Sequence, residues 1–515
     1  MRDKILNCIK ENWYATIYIV IMSLLYVIMM FINKPWYDEL YTYYSFISRG
    51  PVYAAIHWPV PNNHVGYSVI SACLNIFGNS YISLRGISCV AAIANLILIY
   101  DIGCRIMKKP YAFFSMVMYS GANMVYMLAI QGRGYTLAIT CYLVGIIAIY
   151  RICMDEYENR YYIVFALSLV LGLYILPSSL YWVVPLSACA GIYLLLKKDW
   201  KKLINLTLSG IAAAIGTVFL YMLIWLAIGS NLLSKNAESE YYGIYQVKII
   251  LRAPILAAKT GIEYMLATPY IQSIDKKSAI MGMPGYFEEF FSQCYSYFGI
   301  FLSIVMVFLI VFFIYYAILE VRFREKGLWV GIIISGSLLF CLLMLIIQSV
   351  HPYKRVLSFI MVPMSLGVAY ALSRWTVYSG LKVKWVRRVE IMLVVFASLF
   401  VAFRLTTYDY RRPLADRENN IEEALKAIDV NDIDTIYYTD DYQKYVLKFY
   451  HNCEPEEVAL EEARYVLVGS ELTSIQYKEN EWPLLLAYDK SFLEYVEDNF
   501  EEIAITEAYS VFCRK

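Results

Sequence analysis

The sequence predicts a membrane protein that is all-α in its body, with about eleven transmembrane helices, interfacial helices in its first outside loop and a small C-terminal α/β domain outside. Three observations carry this. Apolar residues make up 60% of the 515-residue chain and charged residues 17%, with a mean hydropathy of +0.52, whereas a soluble domain carries roughly a quarter charged residues. Charge is unevenly divided: residues 1–404 hold 33 Lys and Arg against 18 Asp and Glu, and residues 405–515 hold 11 against 25. Long apolar stretches recur through the first part and stop near residue 404. The net charge of +1 therefore conceals a basic, apolar body and an acidic tail, and an ordinary soluble globular protein is excluded.

Crossing ~30 Å of hydrocarbon takes about 20 apolar residues in helix, because each backbone group must be satisfied within its own segment. Eleven stretches approach this: Tyr14 to Ile32, Gly86 to Gly103, Tyr111 to Ile130, Tyr135 to Tyr150, Tyr161 to Leu176, Leu180 to Leu196, Leu203 to Ile228, Tyr295 to Ile318, Leu328 to Gln348, Val356 to Ser373 and Val389 to Arg404. The first lacks a small-residue cleavage site and reads as a retained span rather than a signal peptide. Only Leu176-Pro177-Ser178-Ser179 separates the fifth from the sixth, and fusing those two would reverse every later loop.

With the N-terminus cytoplasmic, the inside segments carry 20 Lys and Arg, among them Lys197, Lys198, Lys201, Lys202, Arg322, Arg324, Lys382, Lys384, Arg387 and Arg388. The short outside loops hold six: Lys34, Arg49, Arg85, Arg133, Lys354 and Arg355. That bias sets the orientation and, with eleven spans, puts the tail outside. Three outside segments exceed mere connections: residues 33–85, 229–294 and the tail from 405. All four histidines, His57, His64, His351 and His451, fall on this side.

In the first outside loop Tyr37, Leu40, Tyr41, Tyr44 and Ile47 recur at helical spacing, as in an amphipathic helix lying in the membrane interface. Asp38 and Glu39 occupy its first turn, where acids also simply complement the helix dipole. Further polar groups stand at outside helix ends: His57 and Trp58-Pro59-Val60-Pro61-Asn62-Asn63-His64, Ser83-Leu84-Arg85-Gly86, Gln131-Gly132-Arg133-Gly134-Tyr135 and His351-Pro352-Tyr353-Lys354-Arg355. Cations at span ends often only snorkel to head groups, yet these four, Arg85, Arg133, Lys354 and Arg355, run against the inside bias. They are candidates for holding an anion such as a lipid phosphate.

The second outside loop holds Tyr241-Tyr242, Arg252, Lys259, Glu263, Gly282-Met283-Pro284-Gly285 and Glu288-Glu289, a pattern that suits either a mobile flap over the site or a plain surface loop. In the tail, helical stretches (Ile421 to Ile428, Tyr442 to Tyr450, Ser491 to Asn499) alternate with strands (Asp434 to Tyr438, Arg464 to Gly469, Ile503 to Phe512). This alternation predicts an α/β domain. Of eleven cysteines most lie in spans and act as small apolar residues; Cys453 and Cys513, both in the tail, could pair or remain free. No metal-ligand spacing is present; Asp38, Glu39, His57 and His64 are the residues from which a divalent-metal site could be assembled, and no other cofactor is indicated.

The order and common side of Tyr37-Asp38-Glu39, Asn63-His64-Val65-Gly66-Tyr67, Leu84-Arg85-Gly86, Gln131-Gly132-Arg133-Gly134-Tyr135 and His351-Pro352-Tyr353-Lys354-Arg355 resemble polytopic GT-C glycosyltransferases, of the protein O-mannosyltransferase and aminoarabinose transferase type. The resemblance spans most of residues 10–370. It implies a catalytic base at Asp38 with Glu39 beside it, and a donor phosphate held by Arg85, Arg133, Lys354 and Arg355. Asn63, His64, Tyr135, His351 and Tyr353 would line the substrate site. Where relatives often carry an acid before the arginine, this chain has Gln131-Gly132.

The implied partners are a polyprenyl-phosphate-linked sugar donor, membrane lipids, and an acceptor hydroxyl on protein, lipid or cell-envelope glycan, with no nucleic acid. The implied setting is a plasma membrane of bacterial type. One base and no covalent intermediate imply inversion at the anomeric carbon. The alternatives are a polytopic lipid or polysaccharide transporter or flippase, which would carry charges near span midpoints, and a catalytically inactive polymer-binding membrane protein.

Overall fold

The computed structural model describes residues 11–57, 63–154, 159–229, 246–266, 274–321, 325–380, 382–410, 423–428, 435–437, 445–446, 448–449, 458–469, 490–506 and 509–515. Trp58 to Asn62, Tyr241-Tyr242, Arg322, Arg324, His451 and Cys453 lie outside these, as do most of the helix expected at Tyr442 to Tyr450 and the basic residues before Glu11.

Every expected apolar stretch is helical: Trp13–Ile32, Ser80–Ile106, Lys109–Ser120 with Asn123–Ile130, Tyr135–Met154, Asn159–Ile175, Leu180–Leu196, Trp200–Gly229, Gly299–Glu320, Glu325–Gln348, Met361–Tyr378 and Val383–Thr407. Among the described residues nine helices are long and apolar enough to cross a membrane, or ten if the pair at 109–130, bent by 69°, is one span. Asn159–Ile175, with 17 residues, reaches about 25 Å at 1.5 Å per residue and takes the place of the expected fifth span. The last span is exposed almost all round, with Ile391, Val395, Leu399 and Phe403 outward, an apolar surface that suits a lipid surrounding.

The shortest linker does reverse the chain. Leu176 is extended, Pro177–Ser179 forms one 3-10 turn, and the Ser179 hydroxyl donates to Gly172 O at 2.7 Å. Ser168 before that turn and Leu186 after it both pack on Gly145 of the Tyr135–Met154 span, as two arms of an antiparallel hairpin can.

The segment expected as the second outside loop is helical where it is described. It forms Gln246–Leu266 and Lys276–Cys294, and Gly282-Met283-Pro284-Gly285 sits inside the second helix. Tyr286, Phe287, Phe290, Phe291 and Cys294 recur at helical spacing and are buried, so packing outweighs the Gly/Pro signal. The helix is fastened to the loop after Gln348: His351 Nε2 donates to Ala279 O at 2.9 Å, Tyr286 OH donates to Pro352 O at 2.7 Å, and the two rings stack.

The tail holds a four-stranded sheet of β1 (Ile436–Tyr437), β2 (Tyr465–Gly469), β3 (Phe500–Ile505) and β4 (Tyr509–Arg514), in the order β1-β2-β4-β3, with β1 parallel to β2 and the other pairs antiparallel. The stretch Ile503 to Phe512, expected as one strand, is instead the β3–β4 hairpin, which turns after Thr506, whose Oγ1 accepts from Tyr509 N at 2.9 Å. A hydroxyl closes that turn without the Gly or Pro that would have announced it. Successive β2 side chains take opposite faces. Val466 and Val468 meet Val496 and Phe500, whereas Tyr465 and Leu467 share a second core with Leu425, Ile428, Val511 and Leu40 of the segment after the first span. The stripe expected to face lipid is thus taken up partly by the C-terminal domain.

Candidate active site

The helix Tyr37–Thr42 starts as its sequence demands. Glu39, its third residue, reaches back so that its Oε2 accepts from the Trp36 backbone N–H at 2.9 Å, a one-sided cap, since the Trp36 indole has no acceptor to return the bond. Its remaining capacity is spent inward. Arg85 donates to Oε1 and Oε2 at 2.7 and 2.9 Å, and Gly132 N donates to Oε1 at 2.6 Å. Arg85 gives its other N–H groups to the carbonyls of Met30, Asn33 and Lys34 at 2.7 to 2.9 Å. All five guanidinium donors are therefore used, and both side chains are sealed, at 0 and 1% exposure. Only glycine fits at 132, because a Cβ there would sit 2.7 Å from Leu84 O. Arg85 and Glu39, expected as phosphate ligand and acid, instead form an internal tie between the first two spans and the third. The reason is desolvation: a buried ion pair persists only with such complete hydrogen bonding.

Asp38, one residue earlier, points the other way and is 19% exposed. Its Oδ2 accepts from Arg355 Nη2 at 3.1 Å and lies 3.9 Å from Arg133 Nη2. Arg133 is deeper, with Nη1 donating to Thr42 Oγ1 at 2.7 Å and to Asp38 O at 3.2 Å. Arg355, 22% exposed, donates through Nε to Tyr135 OH at 3.1 Å, and its guanidinium carbon lies 4.8 and 5.0 Å from the ring centres of Trp36 and Tyr353. Two guanidiniums against one carboxylate, beside a self-cancelling Glu39–Arg85 pair, leave an excess positive charge at the opening.

His64 stands behind Arg133. Gly134 N donates to its Nδ1 at 2.9 Å, Arg133 Nη2 faces Nε2 at 3.2 Å, and Tyr135 packs edge-on at 5.1 Å. Burial, then the charges of Arg133 and Arg355, hold its pKa well below the usual histidine range, so the ring is neutral. Gln131 is buried, and its carboxamide meets no hydrogen-bond partner among the described residues.

The remaining expected residues divide by place. Lys354 pairs with Glu289 of the Lys276–Cys294 helix, and Tyr353 is 49% exposed beside Arg355. Asn63 is a loop staple, donating to His57 O at 2.6 Å and accepting from Ser68 Oγ at 2.7 Å. His351 serves the helix contact described above, and His57 stacks on Tyr53 at 4.6 Å. No group of three or more His, Cys, Asp or Glu side chains among the described residues could hold a metal. Asp38, Glu39, His57 and His64 are not gathered, since Glu39 is consumed by Arg85. Sequence inspection passed over Trp36 and Thr42; Thr42 had one signal, its position four residues after Asp38 on the same helical face.

Residues 64–225 match the family described as dolichyl-phosphate-mannose-protein mannosyltransferase. No curated protein matches significantly. Among solved structures the chain is similar to ArnT from Cupriavidus metallidurans bound to undecaprenyl phosphate, with TM-score 0.53, 11% identity and coverage of 96% of this chain and 97% of that one. The apo state of ArnT gives 0.54, 10% identity and 98% of both chains. The archaeal oligosaccharyltransferase AglB from Archaeoglobus fulgidus, in complex with an inhibitory peptide and a dolichol-phosphate, gives 0.51, 10% identity, 98% of this chain and 75% of that one. At such identities the likeness is one of fold. Residues 64–225 are thus similar in sequence to that mannosyltransferase family, and nearly the whole chain shares the fold of ArnT and AglB.

Proposed function

We propose that the protein transfers a sugar from a polyprenyl-phosphate donor to an acceptor hydroxyl at the outer face of the membrane, with inversion at the anomeric carbon. The observation that carries this is the half-open Asp38–Arg355 pair, the meeting point of a carboxylate and an accessible cation. Asp38 takes the proton of the acceptor hydroxyl as its oxygen attacks the anomeric carbon. The bond from that carbon to the phosphate oxygen breaks, and Arg355 stabilises the charge that collects on the departing phosphate. Lys354 joins it once drawn from Glu289. Arg133, enclosed by Asp38, Thr42 and His64, positions the carboxylate.

The bound undecaprenyl phosphate of the ArnT structure and dolichol-phosphate of the AglB structure support a lipid-phosphate donor here. A transporter is disfavoured, because the buried charged side chains among the described residues are Glu39, Arg85, Arg133 and Glu320, none near a span midpoint. The acceptor hydroxyl belongs to a protein, lipid or cell-envelope glycan, in the proposed orientation outside a bacterial plasma membrane. Purified protein in lipid, offered a panel of radiolabelled polyprenyl-phosphate sugars, should release label to the acceptor with the anomeric configuration inverted. Retained configuration would overturn the single-displacement scheme, and equal turnover by Asp38→Asn would remove Asp38 as base.

A further inference from the structure

The C-terminal domain is not merely tethered beyond the last span; it is built onto the short helix that bears Asp38. Leu40, two residues after Asp38, is fully buried in a core otherwise made by the tail residues Ala424, Leu425, Ile428, Ile436, Val446, Tyr465, Leu467, Tyr509 and Val511. Tyr445 stacks on Tyr44 with ring centres 5.5 Å apart and planes 13° apart, and meets Tyr41 edge-on at 6.3 Å. Phe449 packs edge-on against Tyr43 at 6.2 Å and Tyr81 at 4.9 Å, and Lys448 Nζ lies 4.8 Å from the Tyr44 ring centre. The start of the tail is fastened beside the first-span exit, where Tyr410 O accepts from Asn33 Nδ2 at 3.0 Å and from Tyr126 OH at 2.8 Å.

We infer that the C-terminal domain is the outer jaw of a clamp that positions Asp38, with the Arg85–Glu39 tie as the inner jaw. The geometry requires a second jaw. Tyr37–Thr42 has six residues and continues as a π-helical turn, Tyr43–Ile47, and so short a helix has little stability of its own. Its inner side is held by the Arg85 bonds to Glu39 and the Arg133 bonds to Thr42 Oγ1 and Asp38 O, and the opposite side needs its own support. Leu40 and Tyr44, one turn apart, supply it. The acidic tail thereby acts on chemistry through a positioning contact, Leu40 and Tyr445 being positioning residues that touch no substrate.

This inference rests on the proposed function for its catalytic consequence, and its structural part can be measured separately. In the full-length protein in lipid, Tyr445→Ala should raise amide hydrogen exchange across residues 37–44 by about tenfold or more, since the opening equilibrium there loses its outer contacts, while exchange in Tyr135–Met154 stays unchanged. Tyr445→Phe, which keeps the stacked ring, should exchange like wild type. Unchanged exchange at 37–44 in Tyr445→Ala overturns the clamp whatever the activity. With an active donor in hand, Tyr445→Ala should lower kcat about tenfold or more with donor KM little altered, as expected for a misplaced reactive group, and Tyr445→Phe should restore it. Raised exchange with wild-type kcat overturns the positioning role. Wild type inert towards every donor would count against the transferase reading, and the exchange result would still decide the clamp.

Discussion

Asp38 and Glu39 are neighbours in one turn of helix, each facing arginine, and they have opposite fates. Glu39 is sealed from solvent, with Arg85, the Trp36 amide and the Gly132 amide filling its oxygens. Asp38 meets Arg355 at the mouth of the site and keeps 19% of its side chain exposed. A carboxylate whose every lone pair is matched by a fixed donor is a structural part, because no acceptor site is left for a substrate hydroxyl. A carboxylate at an opening, with a cation to one side, can both accept a proton and meet a substrate.

The largest effect that would break this contrast is on folding. Arg85→Ala strands Glu39 as a buried charge and should cost about 3–5 kcal/mol, read as loss of monodisperse protein or a large drop in Tm. Wild-type stability in that variant would mean that the Glu39–Arg85 tie is dispensable. Next comes Asp38→Asn, which should fold normally and lose roughly 10²–10⁴ in turnover, in contrast to Glu39→Gln, whose defect should appear first in stability. A Glu39→Gln protein as stable as wild type and just as inactive as Asp38→Asn would reverse the assignment of the two acids. Arg355→Gln should lower turnover about 10²-fold through lost charge stabilisation, exceeding the effect of Lys354→Gln. The reverse order would show Lys354 as the principal phosphate partner.

The smallest effect concerns His64 and pH. Its pKa is depressed in the folded protein, so below about 6.5, the ordinary histidine value, the unfolded chain binds a proton that the folded chain refuses. Stability therefore rises with pH in this range and is lost as pH falls, by at most about 1.4 kcal/mol per pH unit from this one group. Tm followed from pH 7.5 to 5.5 should fall less steeply in His64→Gln than in wild type. An unchanged slope would mean that the buried ring does take up a proton.

How far the sequence could be read differs by kind of feature. The spans were legible because the bilayer imposes a length and an apolar composition on each segment separately, so all eleven stretches, including the hairpin arms on either side of Pro177, are found as helices. Among the candidate residues, Asp38, Arg133, Tyr135, His64 and Arg355 come together although 317 positions separate Asp38 from Arg355. Their shared side was predictable from span parity, and their contact was not. The second loop misled because Gly and Pro act locally, while the Tyr286 to Cys294 face that keeps the helix intact acts through packing on distant residues.

By itself, then, the sequence determined the membrane class, the segmentation, the charge asymmetry on which the proposed orientation rests, and the gathering of a few cations with Asp38 on one face. These follow from local composition and from the solvent each segment must meet. Only the tertiary structure decided which of two adjacent acids is spent on Arg85, which arginine remains reachable, and that Leu40 belongs to the core of a domain nearly 400 residues further along. Burial and pairing are relations between distant residues, and a stripe of Leu and Tyr has the same spacing whether lipid or a second domain covers it.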